Sequence, residues 1–194
     1  MTKHNSNLSN ITDFKLTPLE ESKFLFTALA HYKQDGIAKT WEVVEASDSV
    51  AILIYHRQKH SFVLVKQFRP AVYLNDNKGI TIELCAGIVD KELTLVEIAK
   101  EEILEECGYD VDSNSIQKIT SFHTSVGFAG SKQTLYYVEV DDSMQAGVGG
   151  GVDAEMIEVV YLEISKAKDF IYDESIAKTP GLMFAFMWWF EKFL

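Results

Sequence analysis

The stretch that most restricts what this chain can become runs from Ile80 to Tyr109. It starts as a short strand, Ile80-Thr81-Ile82-Glu83-Leu84, and ends at Ala86-Gly87. Residues 94–107 then carry helical spacing. Ile98, Ile103 and Leu104 are expected to face a core, and Gly108 sits where a helix stop belongs. The same helix places Glu102, Glu105 and Glu106 at i, i+3 and i+4, on one face, with Cβ atoms about 5–6 Å apart. Like charges so placed repel, and Lys100 projects from another side of the helix. Carboxylate oxygens gathered on one face suit a hard divalent cation, Mg²⁺ or Mn²⁺. Mg²⁺ keeps waters and shares its shell with substrate phosphates, so the pattern points to phosphate chemistry. The competing reading of a bare Glu-x-x-Glu-Glu is a solvated acidic face.

Around this unit the chain reads as hairpins followed by helices. Strands are expected over Phe24–Tyr32 and Lys39–Glu45, joined through Asp35-Gly36, a hairpin signal. Ser49–Tyr55 and Ser61–Phe68 repeat the pattern about a polar turn, whose flanking His56 and His60 are expected to be exposed. Strands at about 116–125 and 133–140 follow the Glu-bearing helix. A glycine-rich loop, Gly147-Val148-Gly149-Gly150-Gly151, leads to a strand over Met156–Leu162. Helices at about 165–172 and 180–193 close the chain. The mixture suggests an α+β domain or a mixed-sheet sandwich. No Gly-x-Gly-x-x-Gly opens a helix after the first strand, and the glycine-rich loop has no Lys-Ser/Thr after it. Neither a Rossmann unit nor a P-loop is supported.

Composition narrows the partners. The 194 residues carry 29 Asp+Glu against 18 Lys+Arg, a formal charge of -11, which disfavours nucleic-acid backbone as a partner. The apolar run Gly181–Phe190 is about half a bilayer span, and no apolar leader follows Met1, so no membrane partner is expected. Cys85 and Cys107 are the only cysteines, which fits reduced thiols and a cytoplasmic location.

Read from Gly87, the spacing to Glu102, Ile103, Glu105, Glu106, Gly108 and Tyr109 fits, without a gap, the box of the Nudix hydrolases. The chain resembles that family. Two positions depart: a family Glu falls on Leu93 and a family Arg on Glu101, a pair thought to brace the loop against the helix. Val65-Lys66-Gln67-Phe68-Arg69-Pro70-Ala71, Glu83-Leu84-Cys85-Ala86-Gly87 and Ser125–Ser131 extend the likeness over roughly residues 40–190. They are similar to the ADP-ribose and nucleoside-diphosphate-sugar pyrophosphatase branch, and most like its UDP-glucose (UDP-sugar) group.

The resemblance implies a Nudix α/β/α sandwich with a mixed central sheet over residues 46–194. An N-terminal β arm over 1–45 would come first, of a kind often exchanged between subunits, hence a homodimer. It implies metal held by Glu102, Glu106 and the Ala86 carbonyl, with Glu105 completing the shell or binding a second ion. Outside the box it implies a catalytic acid on the loop before a late strand, with Glu155 first and Asp153 second; a mobile loop would let it swing in. The bland alternative is that Glu155 merely begins a strand in solvent. Arg69 stands as a phosphate or sugar contact or as a surface arginine, and Glu83 as a sugar or ribose contact or as a sheet-face carboxylate. Phe26, Tyr32 and Trp41 could stack on a base or fill a dimer contact, with core packing the simpler expectation; Trp188, Trp189 and Phe190 read as a buried helix or subunit contact. The implied activity is metal-dependent hydrolysis of the pyrophosphate of a nucleoside diphosphate sugar, of UDP-glucose or ADP-ribose type. The alternatives are a catalytically silent nucleotide-sugar sensor, or a Nudix enzyme for another nucleoside diphosphate derivative.

Overall fold

Strands β3 (Ser49–His56) and β4 (Ser61–Phe68) carry the apolar runs Val50–Tyr55 and Phe62–Val65, whose faces are both covered. In the computed structural model, which describes residues 8, 10–22, 24–152 and 155–194, alternate side chains of these strands point into two separate cores. Val50, Ile52, Ile54, Val63 and Val65 meet helix α2 (Leu95–Cys107) on one side. Ala51, Leu53, Phe62 and Leu64 meet α3 (Ile164–Tyr172) and α4 (Pro180–Phe193) on the other. The result is the expected α/β/α sandwich. Trp189 and Phe190 are buried in the second core, as a buried helix requires.

The geometry that makes the site comes from β3 and β4 parting. They pair antiparallel only at Ile54↔Val63, Tyr55↔Phe62 and His56↔Ser61. Beyond those pairs a segment fills the gap between them. It pairs first with β4 as β5 (Ile80–Glu83), then crosses at Leu84 to pair with β3 as β6 (Cys85–Ile88). The outer neighbours are β8 (Lys132–Val140), parallel to β3, and β9 (Ile157–Glu163), antiparallel to β4. β7 (Gln117–His123) pairs with the far side of β8, and the two-residue β10 (Ala177–Lys178) pairs parallel with β5. A helix not expected from the sequence, α1 (Pro70–Asp76), follows β4 directly.

The N-terminal strands β1 (Leu25–Gln34) and β2 (Ile37–Ala46) form a two-stranded sheet of their own. Asp35 and Gly36 both take positive φ, as the tight turn demands. The hairpin is tied to the body where the Val44 N–H donates to Phe128 O (2.8 Å) and the Trp41 indole N–H to Gly127 O (2.7 Å).

Three expectations need correction. Phe26 (64% exposed), Tyr32 and Trp41 (56%) are not core residues, because a two-stranded sheet has no second layer to cover them. His56 is fully buried, not exposed: it ends β3 inside the domain, packed edge-on to Tyr109 and Tyr161. Leu104 is 40% exposed, because it turns off the helix face that Ile98 and Ile103 bury. Among the described residues, no helix is long and apolar enough to cross a membrane.

Candidate active site

α2 is set firmly at both ends. Thr94 Oγ1 accepts from the Glu97 N–H while the Glu97 carboxylate accepts from the Thr94 N–H, a reciprocal capping box. Gly108 closes the helix at φ 78°. Between these ends Glu102 and Glu106 face β6, with Glu105 near enough to raise Glu102. Glu106 is 5% exposed, and its Oε2 accepts from the Ala86 N–H at 2.9 Å. Since the N–H and C=O of one strand residue point to the same side, the Ala86 carbonyl is presented on the Glu106 side of β6. Glu102 lies on Gly87 so closely that a Cβ there would fall 2.0 Å from Glu102 Oε1, so a larger residue would push the Glu102 side chain from its place.

The electrostatics are those of anions lacking a counter-ion. Burial, then Glu105 and Glu155, push the Glu102 carboxyl up to about 7. Burial, opposed by the Ala86 hydrogen bond and aided by Glu102, pushes Glu106 up to about 8. This donor set fits a divalent cation: oxygen ligands on a backbone carbonyl and on carboxylates destabilised without one. As they stand, among the described residues, no three His, Cys, Asp or Glu side chains are grouped closely enough to hold an ion. The fit therefore rests on donor chemistry.

Arg69, at the end of β4, lines a cavity of about 410 Å³ together with Asn10, Gln67, Glu155 and Ile157. Its guanidinium forks onto Glu83, Nε to Oε1 and Nη2 to Oε2, both at 2.8 Å, and Thr81 Oγ1 donates to Glu83 Oε1 at 2.6 Å. Burial alone would raise the Glu83 carboxyl, but Arg69 outweighs it and holds it low. A larger cavity of about 690 Å³ lies on the α3 side of the sheet and is lined by Leu64, Ile82, Val160 and Phe170, away from the α2 carboxylates.

The chain is 37% identical to the uridine diphosphate glucose pyrophosphatase NUDT14 of Bos taurus, over 88% of its own length and 90% of that protein's. The Mus musculus protein of the same name is 36% identical, over 88% and 90%. The GDP-mannose pyrophosphatase of Cronobacter sakazakii is 37% identical, over 81% of this chain and 84% of that one. The chain belongs to the Nudix nucleotide-sugar pyrophosphatases. No family model matches it.

In this Nudix protein the departures at Leu93 and Glu101 have a local answer. Leu93 is partly exposed, while Lys91, two residues earlier, bonds Glu101 Oε2 at 2.6 Å. Glu101 hydrogen-bonds the Lys91 ammonium and holds its pKa up, with Glu105 and Glu102 adding to the effect. Lys91 thus holds Glu101 and only partly offsets the rise of Glu102, while Lys100 is paired with Asp110. Reading along the helix alone missed Lys91, because it reaches the face from the preceding loop.

Glu155 lies near enough to raise Glu102 and Glu106, so the late-loop acid shares a region with the α2 carboxylates. It is exposed, and its Oε2 accepts from the Val152 N–H at 3.1 Å. Asp153 lies outside the described residues. The glycine-rich loop, expected as a mobile segment, is hydrogen-bonded in this structure to the end of α2. Arg69 and Glu83, expected as separate ligand contacts, are paired with each other.

Proposed function

We propose that this chain hydrolyses the pyrophosphate bond of nucleoside diphosphate sugars in a divalent-metal-dependent reaction, giving a nucleoside monophosphate and a sugar phosphate. UDP-glucose, GDP-mannose and ADP-ribose are the substrates to compare. The observation that carries this reading is the pair of crowded carboxylates, Glu102 and Glu106, pushed up beside the Ala86 backbone in a Nudix chain.

Glu102, Glu106 and the Ala86 carbonyl would hold Mg²⁺, or Mn²⁺ in its place, with Glu105 completing the shell. The ion supplies charge neutralisation of the diphosphate and a lower pKa for bound water. Glu155 takes the proton of the attacking water, with Asp153 as second choice. The water oxygen bonds to one phosphorus while the bridging P–O bond breaks, its electron pair leaving on the other phosphate. Arg69 faces the diphosphate from the cavity wall, with Glu83 holding its fork. Two copies are expected to pair through the exposed β1–β2 hairpin, in the cytoplasm, where Cys85 and Cys107, free and buried, stay reduced.

The test is initial rates on the three substrates under identical Mg²⁺, with product identification, for the wild-type chain and Glu106→Gln. Turnover that is lost with chelator and collapses in Glu106→Gln supports the proposal. Tight substrate binding without turnover would favour a silent sensor, and activity confined to another diphosphate would move the substrate class.

A further inference from the structure

The last turn of a helix leaves carbonyls without intrahelical partners. In α2 two of these belong to the metal-ligand candidates themselves, and the glycine-rich loop takes them. The Gly151 N–H donates to Glu105 O (3.0 Å) and the Gly150 N–H to Glu106 O (2.9 Å). The Ala146 and Gly147 N–H groups both donate to Gly108 O, at 2.9 and 3.0 Å.

Gly108 and Gly149 are required by contact as well as by conformation. Gly149, Gly150 and Gly151 have φ of 68°, 112° and 82°. A Cβ at Gly149 would stand 2.3 Å from Glu106 O, and one at Gly108 would stand 2.5 Å from Gly147 O. Both obstacles are backbone and cannot swing aside. At the far end of the loop, a Cβ at Gly151 would stand 2.4 Å from Glu155 Oε2, the same oxygen that accepts the Val152 N–H.

We propose that the glycine-rich loop is a fixed strut joining the α2 carboxylates to Glu155, with Gly149 and Gly151 as its positioning residues. It anchors on the backbone of Glu105 and Glu106 and ends in a seat cut for the Glu155 carboxylate. The distance between metal ligands and proton acceptor is thereby set in the folded chain, not on loop closure. This rests on the role proposed for Glu155 above.

Two measurements on the full chain test it. Hydrogen exchange reads the strut without turnover: the Gly150 and Gly151 amides are expected to exchange at least ~100-fold more slowly than free peptide. Free-peptide rates would overturn the proposal. Steady-state kinetics then compare Gly151→Ala, Glu155→Gln and the double variant. Gly151→Ala is expected to lower kcat at least ~10-fold with KM nearly unchanged, and to lower kcat no further once Glu155 is Gln. Additive losses, or wild-type kcat in Gly151→Ala, would overturn it. Unchanged turnover in Glu155→Gln would instead remove the role of Glu155, and the strut's purpose with it, even where the amides exchange slowly. Gly149→Ala is the harsher variant, expected to free the Gly150 and Gly151 amides together.

Discussion

Glu106 shows most plainly how one side chain ties folding to function. Its carboxyl is buried with the Ala86 N–H as donor, and the folded chain raises it from 4.5 to about 8; Glu102 rises to about 7. A raised carboxyl holds a proton that the unfolded chain releases, so its contribution to stability is complete below about pH 4.5 and lost as the pH rises through the folded value. The metal-free protein is therefore expected to lose thermal stability between about pH 5 and about pH 8. Glu106→Gln should flatten that slope, and Mg²⁺ should stabilise the wild type more at the alkaline end. Melting curves across pH, with and without Mg²⁺, check this; a slope identical in Glu106→Gln would contradict it. At the other wall of the cavity, Glu83→Gln keeps the shape but weakens the hold on the Arg69 fork. It is expected to weaken binding of a nucleoside monophosphate, measured by calorimetry, and to leave the parent nucleoside unaffected. Equal losses for both would make Glu83 a sugar or base contact after all. At this scale the sequence was legible wherever spacing along one helix decides the matter, as for Glu102, Glu105 and Glu106. It was silent where partners meet across the fold: Arg69 with Glu83, Lys91 with Glu101, and His56 with the Tyr109–Tyr161 pair.

Among elements, the loop from β6 into α2 is the joint that matters. Lys91 and Glu101 fasten it from outside, with side chains 47% and 41% exposed. Exposed pairs add only ~0.2–1 kcal/mol to stability, so Lys91→Ala should hardly move the melting temperature. Its expected effect is on Mn²⁺ affinity, which should fall when the loop bearing Ala86 and Gly87 loosens. The exchanged pair Lys91→Glu/Glu101→Lys should recover part of the loss. Affinity unchanged in Lys91→Ala would make the pair ornamental. The sequence also carried α2 itself, since its helical spacing is readable over residues 94–107 with a stop at Gly108, against the observed Leu95–Cys107. It did not disclose α1, whose seven residues bury none of their side chains and so leave no apolar period to read. The division of residues 80–88 into β5 and β6 was equally hidden. Nothing local marks Leu84 as a crossing; the parting of β3 and β4 decides it.

On the scale of the whole molecule, hairpin signals and helical spacing foretold a mixed α+β domain, and the family resemblance foretold its α/β/α layering about two cores. They foretold the hairpin as strands but not its exposure. Leu25, Phe26, Leu29, Ile37 and Trp41 remain open on a two-stranded sheet that is marginal by itself. A second copy is the expected cover. Sedimentation of the wild-type chain should give a dimer, and Phe26→Glu with Ile37→Glu should give a monomer; a wild-type monomer would return those side chains to another use. The central claim is that Glu102, Glu106 and the Ala86 carbonyl hold a divalent cation against a diphosphate. The most direct test is a Mn²⁺ titration followed by electron paramagnetic resonance, with a nonhydrolysable nucleotide sugar present, on the wild type and on Glu106→Gln. Saturable binding in the wild type, weakened at least ~10-fold in Glu106→Gln, is the expected result. Equal binding by both chains, or none by either, would contradict it.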